Sequence, residues 1–131
     1  MVCRPMPAAP TIRPSSQATG DGADQQTYAF ELTWTAPNGQ KYDGRFVHRC
    51  PTVGESVAIE IALAERMKGA VTAESARDMA MMLEHLRITL KERPPWAASV
   101  DDIPHAALLN AVAEEVAAHL GRFHGQELNP G

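Results

Sequence analysis

The sequence predicts an α+β protein: an N-terminal antiparallel β-hairpin packed on a three-helix C-terminal bundle, preceded by a disordered N-terminal arm. Three observations predict this fold class. Two runs of alternating apolar and polar residues, joined by an Asn-Gly turn, occupy residues 28–50. Capping signals and apolar residues at three- and four-residue spacing follow from residue 52 onward. Residues 1–26 begin with a proline-rich stretch, and the SSQATGDGADQQ segment that follows has almost nothing to bury.

Length and composition bound the organisation and the class of protein. A chain of 131 residues forms one domain at most, and we expect residues 27–125 to form it, with residues 126–131 as a tail. The net charge of −4 argues against a general nucleic-acid binder. No stretch approaches the roughly 18 apolar residues of a membrane span. Two cysteines without a CxxC motif favour a reducing, cytosolic setting.

The N-terminal arm has two interpretations. Four of the ten prolines fall in the first 14 residues, and SSQATGDGADQQ follows them. We expect residues 1–26 to be disordered, because such a composition cannot bury enough apolar surface to offset chain entropy. The alternative is an arm that becomes ordered on a partner.

The hairpin poses a question of register. Apolar residues are even-numbered on both strands, so a two-residue loop at Asn38-Gly39 would place the two apolar rows on opposite faces. A type I turn with Pro37 at its second position and Gly39 in the left-handed conformation places both rows on one face. The predicted pairs are Trp34–Tyr42, Leu32–Gly44, Phe30–Phe46 and Tyr28–His48. Gly44 leaves a gap for larger neighbours, and the apolar face requires a helical layer.

The first helix is predicted from about 53 to 68. Thr52 and Glu55 match a capping box, and Gly69 is the expected stop. Alternating apolar residues in SVAIEIALAERMK would also suit a strand, but the cap and the alanines favour a helix. Its apolar residues form two rows on nearly opposite sides, Val53-Val57-Ile61-Ala64 and Ile59-Leu63-Met67. Two such rows suit a helix sandwiched between two layers.

Two further helices are predicted, from about 72 to 92 and from about 103 to 124. Thr72 opens the second helix, and Pro94-Pro95 halts it. The third begins near Asp101-Asp102, has Pro104 in its first turn, and ends before Gly125. The expected core stripes are Ala76, Met79, Ala80, Leu83, Leu86 and Leu90 on the second helix, and Leu109, Val112, Val116, Leu120 and Phe123 on the third.

No catalytic or metal-binding signature emerges along the chain. His48 and Cys50 share a strand face, but no third group for a nucleophile system is evident. The residues able to ligate a metal are His48, Cys50, His85, His105, His119 and His124. They form no HExxH, CxxC or HxxxH motif, and we expect His119 and His124 to be solvated near a helix C-terminus. We therefore predict no catalytic residues, no cofactor site, no metal site and no enzymatic activity.

Three residues are candidates for partner binding. Met81 and Met82 lie beside the core stripe of the second helix, and methionine is adaptable on surfaces that accept varied partners. Trp96, just after Pro94-Pro95, is either an exposed anchor or part of a packed loop. The alternative for the methionines is a helix buried on more than one side.

Four segments within residues 28 to about 124 carry a family resemblance: FELTWTAPNGQKYDGRF, PTVGESVAIEIALAERMKGA, MLEHLRITLKERPPW and LLNAVAEEVAAHLGRF. Together they resemble the tail assembly chaperones of long-tailed bacteriophages and related prophages. The most telling parts of the resemblance are KERPPW and VGE. None of them is a catalytic signature, and the N-terminal arm departs from the compact family pattern.

The resemblance implies a non-enzymatic role in the host cytoplasm. Such chaperones hold the long helical tape-measure protein soluble, help recruit tail-tube subunits around it, and are absent from the finished virion. From charge, hydropathy and the missing motifs we expect no cofactor, no nucleic acid and no membrane as partners, and a homo-oligomer is compatible with this role. Some relatives also have a longer form made by ribosomal frameshifting. On this hypothesis Met81, Met82 and Trp96 contribute to the client-binding surface.

Three other functions remain open from the sequence. The main rival is a structural protein retained in the particle, such as a head–tail connector or a minor tail protein, which the long arm suits well. Detection of the protein in purified particles distinguishes this rival from a chaperone. An inhibitor of a host system and a metal-dependent enzyme are the lesser alternatives.

Overall fold

A four-stranded antiparallel sheet and three helices form an α+β fold, as the sequence predicts. The computed structural model describes residues 9–15, 26–68 and 73–128, except for the side chains of 125–128. The strands are β1 (Thr11–Pro14), β2 (Thr27–Thr35), β3 (Lys41–Arg49) and β4 (Leu90–Glu92), and the helices are α1 (Val53–Arg66), α2 (Glu74–Thr89) and α3 (Ala106–Leu128). Two short 3-10 helices, Pro95–Ala97 and Val100–Asp102, join β4 to α3.

The central hairpin has the predicted register. β2 and β3 pair so that Trp34 faces Tyr42, Leu32 faces Gly44, Phe30 faces Phe46 and Tyr28 faces His48. At the turn, Gly39 has a φ of 89° and its N–H donates to the carbonyl of Ala36 over 2.8 Å. The N–H of Ala36 donates to the carbonyl of Gln40, also over 2.8 Å. The bulged turn therefore brings both apolar rows to one face.

Two edge strands extend the hairpin into a sheet of order β1-β2-β3-β4, and neither was predicted. β1 lies within the arm that we expected to be disordered, so this expectation is wrong for residues 11–14. Ile12 of β1 faces Leu32 and packs against the core, while the backbone of β1 pairs with the open edge of β2. Residues 1–8 and 16–25 of the predicted arm lie outside the described residues.

The second helix is shorter than predicted at its C-terminal end, because residues 90–92 form β4 instead. Leu90 faces His48 across the ladder and is buried. Residue 93 precedes Pro94 and is therefore biased away from the helical region, which favours the end of the helix before this point. The predicted helix start at Thr72 lies outside the described residues, as does Gly69, the expected stop of the first helix.

The third helix begins later and ends later than predicted. Residues 100–102 form a 3-10 helix, and the ψ of 122° at Ile103 lies outside the helical region, which the residue before Pro104 avoids. α3 therefore starts at Ala106. It continues through Gly125 to Leu128, so the predicted stop and the predicted tail are wrong for residues 126–128. A glycine inside a helix costs only about 1 kcal/mol, which an adjoining helical sequence can tolerate.

The core lies between the even-numbered face of the sheet and the helices α2 and α3. Phe30 and Phe46 stack with ring centroids 5.4 Å apart, and Trp34 and Tyr42 stack at 6.1 Å. Five residues of the predicted stripes are buried there: Leu86 of α2, Leu90, which lies in β4 and not in the helix as predicted, and Leu109, Val112 and Val116 of α3. Among the other residues of the α2 stripe, Ala80 is buried, Leu83 is half-buried, and Ala76 and Met79 are exposed. Pro94 fills the gap above Gly44.

Helix α1 packs on α2 at the margin of this core and is not sandwiched. Its predicted capping box is present: the Glu55 N–H donates to the Thr52 hydroxyl over 3.1 Å, and the Thr52 N–H donates to the Glu55 carboxylate over 3.0 Å. Ile59 and Leu63 are buried. The opposite row has no covering layer within the described residues, so the sandwich interpretation is wrong for this chain alone. None of the helices in the described ranges is sufficiently long and apolar to span a membrane.

Candidate functional site

Met81 and Met82 line a groove between α2 and α3, which we call the methionine groove. Its volume is about 270 Å³. The lining residues are Asp78, Met81, Met82, His85 and Leu86 of α2, and Ala113, Val116, Ala117 and Leu120 of α3. Most of these side chains are apolar, and both methionines are half-buried. The groove therefore offers flexible, polarisable side chains at the surface.

Trp96 lies elsewhere, against the sheet. Its indole meets the rings of Tyr42 and Phe46 edge-on, with centroid distances of 5.5 and 5.8 Å. The indole Nε1–H donates to the carbonyl of Asp43 over 2.9 Å. The structure thus brings Met81 and Met82 together, but it does not bring Trp96 into the methionine groove.

A second apolar surface runs along the outside of α1. Val53, Val57, Ile61 and Ala64, here called the outer row, lie on one side of the helix and line a shallow groove of about 480 Å³ with Ser56 and Glu60. The exposed fractions are 84 % for Val53, 54 % for Val57 and 60 % for Ile61. The sequence identified this row but placed it in the interior. The sequence pattern that indicates this surface is the second apolar stripe of α1, because a helix that packs on one side requires only one.

A buried group of polar side chains lies between the end of β3 and helix α3. His48, Cys50 and His119, here called the histidine–thiol cluster, have exposed fractions of 0 %, 0 % and 3 %. The Nδ1 atoms of His48 and His119 lie 2.7 Å apart, so one ring donates a hydrogen bond and the other accepts it. The sulfur of Cys50 lies 3.8 Å from Nδ1 and 3.9 Å from Nε2 of His119.

Two aromatic neighbours enclose the cluster. The ring of His85 on α2 stacks on His48 with centroids 5.9 Å apart, and Tyr28 packs on His119 at 5.2 Å. Burial, followed by the neighbouring His119, His85 and Lys91, lowers the pKa of His48 to about 3. Burial alone lowers the pKa of His85. Both rings are therefore neutral near pH 7.

Two ring nitrogens in this region lack partners. Within the part of the chain that the structure describes, the Nε2 atoms of His48 and His85 are buried without a hydrogen bond. The thiol of Cys50 is closed off from solvent, so it cannot meet a substrate as an exposed nucleophile would. The arrangement suits holding a small ion or sharing a proton.

The sequence did not reveal this cluster, and the expectation that His119 is solvated is wrong. The three residues come from one strand end and a helix about 70 positions later, so no local motif spacing connects them. The sequence does indicate that both histidine side chains point into the interior. His48 shares the inward parity of Phe46, and His119 follows Val116 by one helical turn on the buried stripe of α3.

Comparisons with models of protein families, with curated proteins and with solved structures give no match to this chain.

Proposed function

We propose that this protein is a non-enzymatic assembly chaperone that binds amphipathic helices of a client protein. The client is the tape-measure protein of a long-tailed phage or prophage, and the chaperone helps recruit tail-tube subunits around it. The observation that carries the proposal is the outer row of α1, an exposed apolar stripe on a helix whose other side already packs on α2.

The outer row has the shape of a helix-binding surface. From Val53 to Ala64 it covers three turns, a length of roughly 16 Å. Its spacing matches the apolar stripe of a second helix, which would pack against it as one helix packs in a groove. Fully burying a valine or isoleucine stabilises a complex by about 1.5–3 kcal/mol, so three such residues offer a substantial driving force. A flat, elongated stripe suits a helix better than a compact small molecule.

The methionine groove is a second candidate contact for the same kind of client. A tape-measure protein presents many successive helical segments of varied sequence, and methionine side chains adapt to varied apolar partners. Met81 and Met82 are half-buried, so they can contact a ligand without leaving the fold. Trp96 already packs on Tyr42 and donates a hydrogen bond to the carbonyl of Asp43, so it is not assigned to this groove.

Co-expression with the tape-measure protein tests the outer row. We expect the wild-type chain to keep the tape-measure protein soluble and to co-purify with it, whereas Val57→Lys/Ile61→Lys loses most of this capture. Both positions are exposed, so the lysines leave the fold intact. Ala58→Lys, on another exposed position of α1, is the matched control and retains capture. Undiminished capture by the double variant contradicts the assignment of this surface.

Two further measurements separate the chaperone from a retained virion subunit and weigh the two surfaces. Purified particles are expected to contain none of the protein by mass spectrometry, and its presence in stoichiometric amounts contradicts the chaperone role.

The double variant Met81→Ala/Met82→Ala is expected to weaken capture of the tape-measure protein less than the outer-row variant, because these side chains are half-buried already. Gene order is a further check: a tube-protein gene upstream and a very long helical gene downstream are expected.

A further inference from the structure

The histidine–thiol cluster has the donor atoms of a transition-metal site. Two imidazole nitrogens and one cysteine sulfur are the ligands that zinc prefers, and they disfavour the hard, strongly hydrated magnesium and calcium ions. One ligand atom from each of His48, Cys50 and His119 can be chosen so that all lie within 4.8 Å of one another. His48 lies in β3, Cys50 directly follows that strand, and His119 lies in α3, so the fold itself assembles the set.

We infer that His48, Cys50 and His119 bind one zinc-class divalent ion in the interior of the protein, between β3 and α3. The inference is independent of the proposed chaperone function, because the cluster lies in neither the methionine groove nor the outer row. The three residues supply three ligands, and a water or another small donor takes the fourth position of a tetrahedral zinc ion.

The observed distances are close to those of a tetrahedral site. With bonds of ordinary length, two nitrogen ligands of zinc lie about 3.4 Å apart, and a nitrogen and a sulfur about 3.6 Å apart. The sulfur of Cys50 lies 3.8 Å from Nδ1 of His119, which already fits. The two Nδ1 atoms, now 2.7 Å apart in a hydrogen bond, must separate by about 0.7 Å, and the two rings must turn so that both lone pairs point at the ion.

Binding releases one proton and moves another. The Cys50 thiol loses its proton to solvent, because the thiolate is the metal ligand. The proton that now joins the two Nδ1 atoms leaves that position, and the ring that carried it takes the tautomer protonated at Nε2. The ion thus replaces the hydrogen bond between His48 and His119 with two metal–nitrogen bonds.

The surroundings of the cluster favour a tightly held ion. Tyr28 packs on His119, and His85 stacks on His48, so both imidazole rings are already restricted in orientation. The three ligand side chains are at most 3 % exposed, so bulk water does not compete for the ion. Because the ion binds only when β3 and α3 are packed together, its binding stabilises the folded state.

Titration of the full chain, first stripped with a chelator, tests the inference. With Zn²⁺ alone we expect one ion per chain, a dissociation constant below about 1 μM, and a melting temperature that rises with Zn²⁺ concentration. Co²⁺ in place of Zn²⁺ is expected to give the thiolate-to-cobalt charge-transfer absorption and the intense visible bands of a tetrahedral complex. Failure of the wild-type chain to retain either ion, or a Co²⁺ spectrum without the charge-transfer absorption, overturns the inference.

Variants assign the ligands. Cys50→Ser is expected to abolish the charge-transfer absorption, and both Cys50→Ser and His119→Gln are expected to weaken Zn²⁺ binding by more than the roughly 10- to 100-fold that loss of an outer-shell partner causes. His124→Gln, on the exposed surface of the same helix, is the control and binds like the wild type. Wild-type affinity in Cys50→Ser overturns the assignment. The Co²⁺ spectrum of the wild-type chain remains decisive if a variant does not fold.

Discussion

Pro94 lies directly over Gly44, so closely that a Cβ atom at Gly44 would stand 2.4 Å from both the Cβ and the Cγ of the proline ring. This contact explains why the apolar row of β3 has a glycine between Tyr42 and Phe46. It also attaches the segment after β4 to the middle of the sheet. The ring takes the place that a side chain at position 44 would occupy.

Gly44→Ala is therefore expected to lower the free energy of unfolding by about 1–3 kcal/mol, because the buried proline ring or the backbone must move. Urea denaturation measures the change. Gly121→Ala is the matched control: within the described atoms nothing lies within 4 Å of a Cβ there, and alanine in a helix is expected to stabilise by about 0.5–1 kcal/mol. A Gly44→Ala variant as stable as the wild type contradicts the close contact.

Acid is expected to weaken the contact between α1 and α2 through Glu84. Burial opposes ionisation of this carboxyl, but hydrogen bonds from Arg87 and Arg66 outweigh it and hold the pKa of Glu84 below its ordinary value of 4.5. A lowered pKa means that the unfolded chain takes up the proton first. The stabilisation is thus complete above pH 4.5 and is lost as the pH falls through the lower pKa of the folded state.

Urea denaturation of the wild type and of Glu84→Gln between pH 7 and pH 3 measures this effect. The variant is expected to be less stable than the wild type at pH 7, because Arg66 and Arg87 lose an ionised partner. The difference between the two proteins is expected to narrow in acid. A difference that stays constant over the whole range would rule out the proposed titration of Glu84.

Thr52→Ala removes the side-chain half of the capping box at the start of α1. We expect a loss of about 1 kcal/mol in the free energy of unfolding, since the N–H of Glu55 loses its acceptor. Thr52→Ser retains a hydroxyl and is expected to behave like the wild type in the same denaturation experiment. Equal losses in both variants would show that the hydroxyl is not what stabilises the helix start.

Trp96→Phe separates a structural role of this residue from a binding role. Phenylalanine keeps an aromatic ring against Tyr42 and Phe46 but lacks the Nε1–H that donates to Asp43. We expect a loss of about 0.5–1.5 kcal/mol in stability and undiminished capture of the tape-measure protein. Lost capture in a variant that remains folded would instead place Trp96 in the client-binding surface.

Much of the centre of the fold could be predicted from the sequence, whereas its edges could not. The parity of Phe30 and Phe46 and the turn at Gly39 determine the hairpin register, and Thr52 with Glu55 determines the start of α1. These signals are local. β1 and β4 are only four and three residues long, so neither carries a recognisable alternation. Their pairing depends on the hairpin edges, which exist only after β2 and β3 have formed.

The candidate sites also divide into features that local sequence predicts and features that depend on tertiary contacts. The outer row was visible as a helical stripe, but whether a stripe faces the interior depends on what the rest of the chain supplies to cover it. The histidine–thiol cluster joins β3 to α3, and its members are separated by long stretches of sequence. Contacts of that kind arise from tertiary packing, which no spacing rule describes.

The two short edge strands also reduce the risk that the sheet pairs with a strand of another chain. β2 and β3 are nine residues each, and a strand of that length with an open edge is a template for pairing with another chain. β1 covers the outer edge of β2, with an ion pair between Arg13 and Glu31, while β4 covers part of β3, with an ion pair between Arg45 and Glu92. A few residues at each margin thus shield the long strands β2 and β3 from pairing with another chain.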